Sequence, residues 1–218
     1  MSFKKKKYTV IRQAISKDLA AFVANYFCMQ KQVYDTCRKT RYISPFENIL
    51  GYYEAEDEQI PNTYSQYGNI AMETLMLKCQ PQMEKVTGLK LYPAYTYARI
   101  YKKGDELLRH KDRFSCEIST TMNLGGDDWP IYLDPTNTDI PSPDEPYKVI
   151  GNKGVRVDLK QGDMLVYSGC MLEHWREKFK GKQCVQVFLH YNNSKTRGAK
   201  DNMFDKRIHL GLPNWFKR

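Results

Sequence analysis

Leu108-Arg-His-Lys-Asp-Arg113 sets His110 and Asp112 two residues apart. In a strand, successive side chains alternate between faces, so both would point to one side. An imidazole and a carboxylate side by side supply two ligands for a metal ion. A third must come from elsewhere, and the chain has only four histidines: His110, His174, His190 and His209. His174, in Leu172-Glu-His-Trp-Arg176, is the natural partner. Two imidazoles and one carboxylate on one side of a metal, with the opposite positions open, form the donor set of non-haem Fe(II) sites. Taken alone, an HxD pair is common, and a surface histidine beside a charged residue explains it equally well. What tips the balance is whether the rest of the chain forms a body that joins the two places.

Upstream of the pair, Leu91-Tyr-Pro-Ala-Tyr-Thr-Tyr-Ala-Arg-Ile-Tyr101 alternates and is rich in tyrosine, which predicts a strand. Tyr95, Tyr97, Arg99 and Tyr101 would share one face. Downstream, strands are expected at 107–113, 116–124, 129–133, 155–159, 164–167 and 183–191, separated by Gly, Asp and Pro turns. In Gln183-Cys-Val-Gln-Val-Phe-Leu-His-Tyr191 both faces are largely apolar, so this strand is covered on both sides. By parity Lys182, Cys184, Gln186 and Phe188 face one way, and Val185, Val187 and Leu189 the other, toward helices. Residues 134–148, with four prolines, are expected to form a loop.

The first part of the chain reads differently. Leu19, Phe22, Val23, Tyr26, Phe27, Gln30 and Val33 recur at spacings of three and four, which predicts a helix with Ser16 as its N-cap and this stripe in the core. Met72, Leu75, Met76, Cys79 and Met83 predict a second helix from Ile70 to about Thr87, stopped at Gly88, with Pro81 as a kink or break. Residues 38–69 carry turn signals and predict a long irregular connection. A short strand is expected at Tyr8–Arg12.

The layout is therefore α+β. A double-stranded β-helix (a jelly roll, cupin-like) is expected over 89–191, with the helices of 1–88 packed on its major sheet. Residues 192–218 form a basic tail. Together, 1–218 are expected to make a single domain.

Net charge is +9 in 218 residues, with local runs at Lys4-Lys5-Lys6-Lys7 and in the tail. Such runs are most often solvated segments; their functional reading is attraction to an anion, nucleic acid included. Six scattered cysteines without a CxxC, and no apolar leader, point to free thiols in a reducing, cytoplasmic setting. No stretch approaches the ~20 apolar residues that span a membrane.

Three stretches together carry a family resemblance. They are Arg99-Ile-Tyr-Lys-Lys-Gly-Asp-Glu-Leu-Leu-Arg-His-Lys-Asp112, Gln161-Gly-Asp-Met-Leu-Val-Tyr167, and His174 through Gly181-Lys182. In this order they resemble the 2-oxoglutarate/Fe(II)-dependent oxygenase superfamily, and within it the prolyl-4-hydroxylase-like group, over roughly 90–191. The resemblance implies that His110, Asp112 and His174 hold Fe(II). It implies that Lys182 pairs with the far carboxylate of the co-substrate 2-oxoglutarate, and that Tyr101 and Thr121 supply hydrogen bonds to it. The bland reading of Lys182 is a solvated side chain in the basic run 176–182. The implied activity is O2-dependent hydroxylation of a C–H bond, most naturally on a peptidyl proline, with succinate and CO2 as co-products and ascorbate as an accessory reductant.

Two other functions compete. One keeps the chemistry but acts on a nucleic acid or a free small molecule. The other is a non-catalytic cupin-like binding module. Trp175 and Arg176, flanking His174, are expected at the substrate mouth. His190 reads as a structural histidine and His209 as an exposed one. Trp129 reads equally as core. Substrate choice would rest on the loops at 38–69 and 134–148.

Overall fold

A computed structural model describes residues 3–57, 59–136 and 153–217. One helical turn, α1 (Phe3–Lys6), buries Phe3 and leads into β1 (Tyr8–Ile11). Then come α2 (Lys17–Lys39), β2 (Tyr64–Tyr67), α3 (Ile70–Thr87) and β3 (Leu91–Lys102). The remaining strands are β4 (Leu107–His110), β5 (Ile118–Gly126), β6 (Ile131–Asp134), β7 (Val155–Val157), β8 (Met164–Tyr167), β9 (Glu173–Arg176) and β10 (Gln183–Asn193). Two antiparallel sheets result. One has the order β1-β8-β5-β10-β3-β2 and the other β4-β9-β6-β7.

The period-two pattern sorts the larger sheet. Ala98 and Ile100 of β3, Met122 and Leu124 of β5, and Val185, Val187 and Leu189 of β10 face α2 and α3 in one apolar cluster. The opposite face meets the smaller sheet. There Leu165 and Tyr167 pack on Ile131, Leu133 and Val157, and Tyr101 and Cys184 pack with Leu107, Trp129 and Phe179. Tyr95, Tyr97, Arg99 and Tyr101 do share that inner face, and it also holds Ser119, Thr121, Gln186 and His190.

Ser16 caps α2, its Oγ accepting the Leu19 N–H at 3.2 Å. The buried stripe differs from the expected one. Ala20, Val23, Ala24, Phe27 and Tyr34 face the sheet, while Phe22 is 71% and Val33 47% exposed. Two alanines decide this: their small side chains let the helix approach the sheet closely, so the seam runs along them rather than along the bulkiest residues. Asn69 caps α3 through Oδ1 to the Ala71 and Met72 N–H groups, and Gly88 ends it at φ +70°. The helix runs on through Pro81 without splitting.

Residues 38–69 are less irregular than expected. Tyr64–Tyr67 form an edge strand on β3, and Tyr52 bridges to Ser65. The tail is held down as well. Arg207, fully buried, pairs with buried Glu73 of α3 at 2.6 Å and donates to the Ala94 carbonyl at 3.1 Å. Asp205 receives Arg113, Ser115, Tyr67 and Lys217. Among the described residues, no helix is long and apolar enough to cross a membrane. Most of the loop expected at 134–148 lies outside the described residues.

Candidate metal centre

β4 and β9 are neighbours, and their register sets His110 directly opposite His174. The two rings lie 4.2 Å apart. Asp112 is not part of the strand that carries His110; β4 ends at His110 itself. A backbone bond brings the carboxylate back: the Asp112 N–H donates to the Gly169 carbonyl at 2.9 Å. Asp112 Oδ1 then lies 3.6 Å from His110 Nε2 and 3.5 Å from His174 Nε2. One ligand atom from each of the three residues lies within 4.8 Å of the others.

The protons are arranged for metal binding. His110 Nδ1 lies 2.7 Å from the Leu108 carbonyl, and His174 Nδ1 lies 3.1 Å from the Leu172 carbonyl. A carbonyl only accepts, so each Nδ1 carries the hydrogen. In the neutral rings each Nε2 lone pair then points into the cluster. Burial alone would raise the Asp112 carboxyl. The nearby His174 and His110 outweigh it and hold the group well below the usual carboxylate range, so it is ionised. Once the Nε2 protons of the two rings are displaced, His110, Asp112 and His174 turn three donor atoms on one point, a set that fits a cation. His174 is 3% exposed at its side chain, against 18% for His110 and 14% for Asp112, so the cluster opens on the β4 side.

One pleat deeper, about 7 Å along β9, lies Arg176. It is 1% exposed. Its Nη2 donates to Thr121 Oγ1 at 3.0 Å and its Nη1 to the Trp129 carbonyl, while Nε has no partner. Burial pulls its pKa down, and the neighbours that could carry negative charge are Cys184, Tyr101 and Tyr167. Burial holds both tyrosines protonated. No ion pair to Arg176 exists among the described residues, and a buried guanidinium without a carboxylate is costly. Thr121, fully buried, also donates to Gln186 Oε1 at 3.0 Å. Tyr101, 1% exposed, packs edge-on against Trp129 at 4.8 Å.

Two side chains lie elsewhere than the sequence suggested. Lys182 shares the parity of Cys184 and Gln186, but it stands before β10 begins. It is exposed, and its N–H bonds Asp127 in a turn. Arg176 is not at the mouth but inside, because it shares the face of His174 two residues earlier. That spacing was visible in His174-x-Arg176. Trp175 faces the other way, with Arg109 over its ring at 4.1 Å and Tyr132 stacked on it. Trp129 is core to the inner cluster. His209 is exposed, as expected.

Three further residues had no signal in the sequence. Tyr167 Oη lies 3.4 Å from His174 Nε2. Ser119 Oγ lies 3.1 Å from Asp112 Oδ2. Gly169 backs the same carboxylate, and a Cβ there would overlap Asp112 Oδ2 and the Cys116 carbonyl oxygen.

No family model and no curated protein sequence matches the chain. Solved structures do resemble it. A prolyl-4-hydroxylase from Pseudomonas putida aligns with TM-score 0.52 and 12% identity over 88% of this chain and 95% of its own. SnoN, a non-haem α-ketoglutarate-dependent epimerase from nogalamycin biosynthesis, aligns with TM-score 0.60 and 10% identity over 97% of this chain and 91% of its own. HygX from Streptomyces hygroscopicus, solved with nickel and 2-oxoglutarate bound, aligns with TM-score 0.56 and 12% identity over 88% and 85% of the two chains. At such identities the likeness is one of fold: this chain has the two-sheet body that those proteins have.

Proposed function

We propose that this chain is an Fe(II)- and 2-oxoglutarate-dependent oxygenase, and that its two sheets are a double-stranded β-helix forming, with the helices and tail, a single domain. The observation that carries this reading is the pairing of two features on one strand. His174 completes a His-Asp-His cluster, and Arg176 offers an unpaired buried cation one pleat deeper. A dicarboxylate with a metal-binding keto acid at one end needs both. Likeness of fold to enzymes that use this co-substrate supports the reading.

The residues fit such a group. Three lone pairs converge where the metal would sit, and the orphaned Arg176 Nε marks a missing acceptor. When bound, Fe(II), 2-oxoglutarate and O2 supply the oxidising power that breaks a substrate C–H bond, with succinate and CO2 as co-products. The chain does the rest. His110, Asp112 and His174 hold the metal. Arg176, and the protonated Tyr101 beside it, bind the far carboxylate, a role that passes from Lys182 to Arg176. Thr121 accepts from Arg176 and keeps its guanidinium aimed inward. Apolar packing of Trp129, Phe179 and Leu107 keeps water from the deep end.

Within this chemistry we assign hydroxylation, with a peptidyl proline as the first substrate to test, because the stretch from Arg99 to Asp112 resembles the prolyl-4-hydroxylase-like group. A small-molecule substrate is the second reading. It is favoured by fold likeness to an epimerase and to HygX, which has also been solved with hygromycin B bound. Six free cysteines fit a reducing, cytoplasmic setting.

The test is succinate formation from 2-oxoglutarate with Fe(II), O2 and ascorbate, with and without proline-containing peptides, oligonucleotides or small polyfunctional metabolites. We expect turnover in the wild type and none in His174→Ala or Asp112→Ala. Wild-type protein that binds no divalent metal and forms no succinate would leave a non-catalytic binding module as the surviving reading.

A further inference from the structure

Asp112 is the ligand with a choice to make, because a carboxylate can offer a metal one oxygen or two. Its Oδ1 faces both imidazoles, at 3.6 and 3.5 Å. Its Oδ2 faces Ser119 Oγ at 3.1 Å. That hydroxyl has two other neighbours: the Cys116 carbonyl at 2.8 Å and His190 Nδ1 at 2.9 Å. A serine hydroxyl has one hydrogen and two lone pairs. The Cys116 carbonyl and the ionised Oδ2 both only accept, so the one hydroxyl hydrogen serves one of them, and the charged Oδ2, the stronger acceptor, takes it over the nearer carbonyl. The imidazole is the one neighbour able to donate in return, so His190 Nδ1–H points at Ser119.

His190 is itself fixed. It pairs with Ser119 across β10 and β5 and with Tyr95 across β10 and β3. Its ring lies 4.5 Å from that of Tyr95, which stacks on Tyr67 at 4.8 Å. Burial lowers the His190 pKa to about 4, so it is neutral near pH 7. On the other side of the carboxylate, Oδ2 sits in the space that Gly169 leaves open, where any Cβ would overlap it.

We propose that Ser119, backed by His190, is a positioning pair that holds Asp112 as a one-oxygen ligand, with Oδ1 toward the metal and Oδ2 on the serine hydroxyl. This rests on the metal-centre reading above. It matters because a chelating Asp112 would occupy a coordination position that the co-substrate or O2 needs. Neither residue touches the metal, so both act through Asp112.

The experiment measures Mn(II) affinity without co-substrate, by competition against a chelating dye, and the Co(II) visible absorption spectrum. It uses wild type, Ser119→Ala, His190→Leu and His190→Asn. Loss of such an outer partner weakens metal binding by about 10- to 100-fold. That loss is expected for Ser119→Ala and His190→Leu, with a changed Co(II) band shape. His190→Asn keeps an N–H near the Nδ1 position and is expected to stay close to wild type. Thermal melts in EDTA check that each variant folds; if His190→Leu does not, Ser119→Ala decides. Wild-type affinity and an unchanged Co(II) spectrum in Ser119→Ala would overturn the proposal. Equal losses in His190→Asn and His190→Leu would remove His190 from it. A wild type that binds no metal at all would instead sink the metal-centre reading.

Discussion

Arg176 and Lys182 show what one residue's position can decide. Both are cations near the last strands, and both follow His174 closely. Arg176 is fully buried with an unpartnered Nε, while Lys182 is in water. A solvated ammonium gains little from a carboxylate, whereas a desolvated guanidinium gains a charge-assisted bond. Arg176→Gln is therefore expected to weaken 2-oxoglutarate binding by about 1.5–3 kcal/mol, roughly 10- to 150-fold in Kd. Lys182→Ala should cost no more than about 1 kcal/mol. Calorimetric titration of 2-oxoglutarate into the Mn(II)-loaded proteins checks both, and the reverse ranking would return the role to Lys182. The His110, Asp112 and His174 cluster was legible because histidines are few; strand parity did not deliver Asp112, which lies beyond the end of β4 and is brought in by its backbone bond to Gly169. Lys182 was expected inside and lies outside, because parity tells which face a residue would occupy, not where the strand begins.

At the scale of elements, the tail is the part that composition misjudges most. Its charges suggest a solvated segment, yet Arg207 and Glu73 are 0% and 2% exposed at their side chains. Glu73 also accepts the Gly211 N–H, and Arg207 Nη1 donates to the Leu212 carbonyl at 2.5 Å. The tail thus locks onto the start of α3, and through Asp205 it clamps Arg113, next to Asp112 of the candidate centre. Removing one member of a buried pair strands the other. Arg207→Ala is expected to lower stability by about 3–5 kcal/mol, and Arg207→Met with Glu73→Leu by clearly less. Urea unfolding of the two variants tests this, and a cost near zero for Arg207→Ala would mean that the tail adds nothing to the fold. No local pattern betrays such a pair, since its partners are 134 positions apart. Helix α2 was legible in its start and in the burial of Val23 and Phe27, but not in its end at Lys39 or in its full face, because Ala20 and Ala24 carry little hydrophobic weight in a pattern yet set the contact with the sheet.

Across the whole molecule, the alternation of the β half was enough to forecast two stacked sheets with helices against one of them. Helical periodicity and alternation are local and survive in a single sequence. Pairings between distant strands, such as His110 with His174 or His190 with Ser119, come from topology and had to be seen. That topology makes metal binding a property of the folded state alone. His110 and His174 are neighbours only when β4 pairs β9, and Asp112 joins them only through Gly169. An ion that binds the native protein and not the unfolded chain stabilises by mass action, about 2.7 kcal/mol at a hundredfold excess over Kd. For a domain of this size that is a rise in Tm of about 5–10 °C. Mn(II) is expected to produce it in wild type, EDTA to reverse it, and adding 2-oxoglutarate on top of Mn(II) to raise Tm again through Arg176. Asp112→Ala should show neither step, and Arg176→Gln only the first. A melt in which 2-oxoglutarate acts without metal, or in which Arg176→Gln keeps the second step, would separate the two halves of the site and refute their joint use of one ligand.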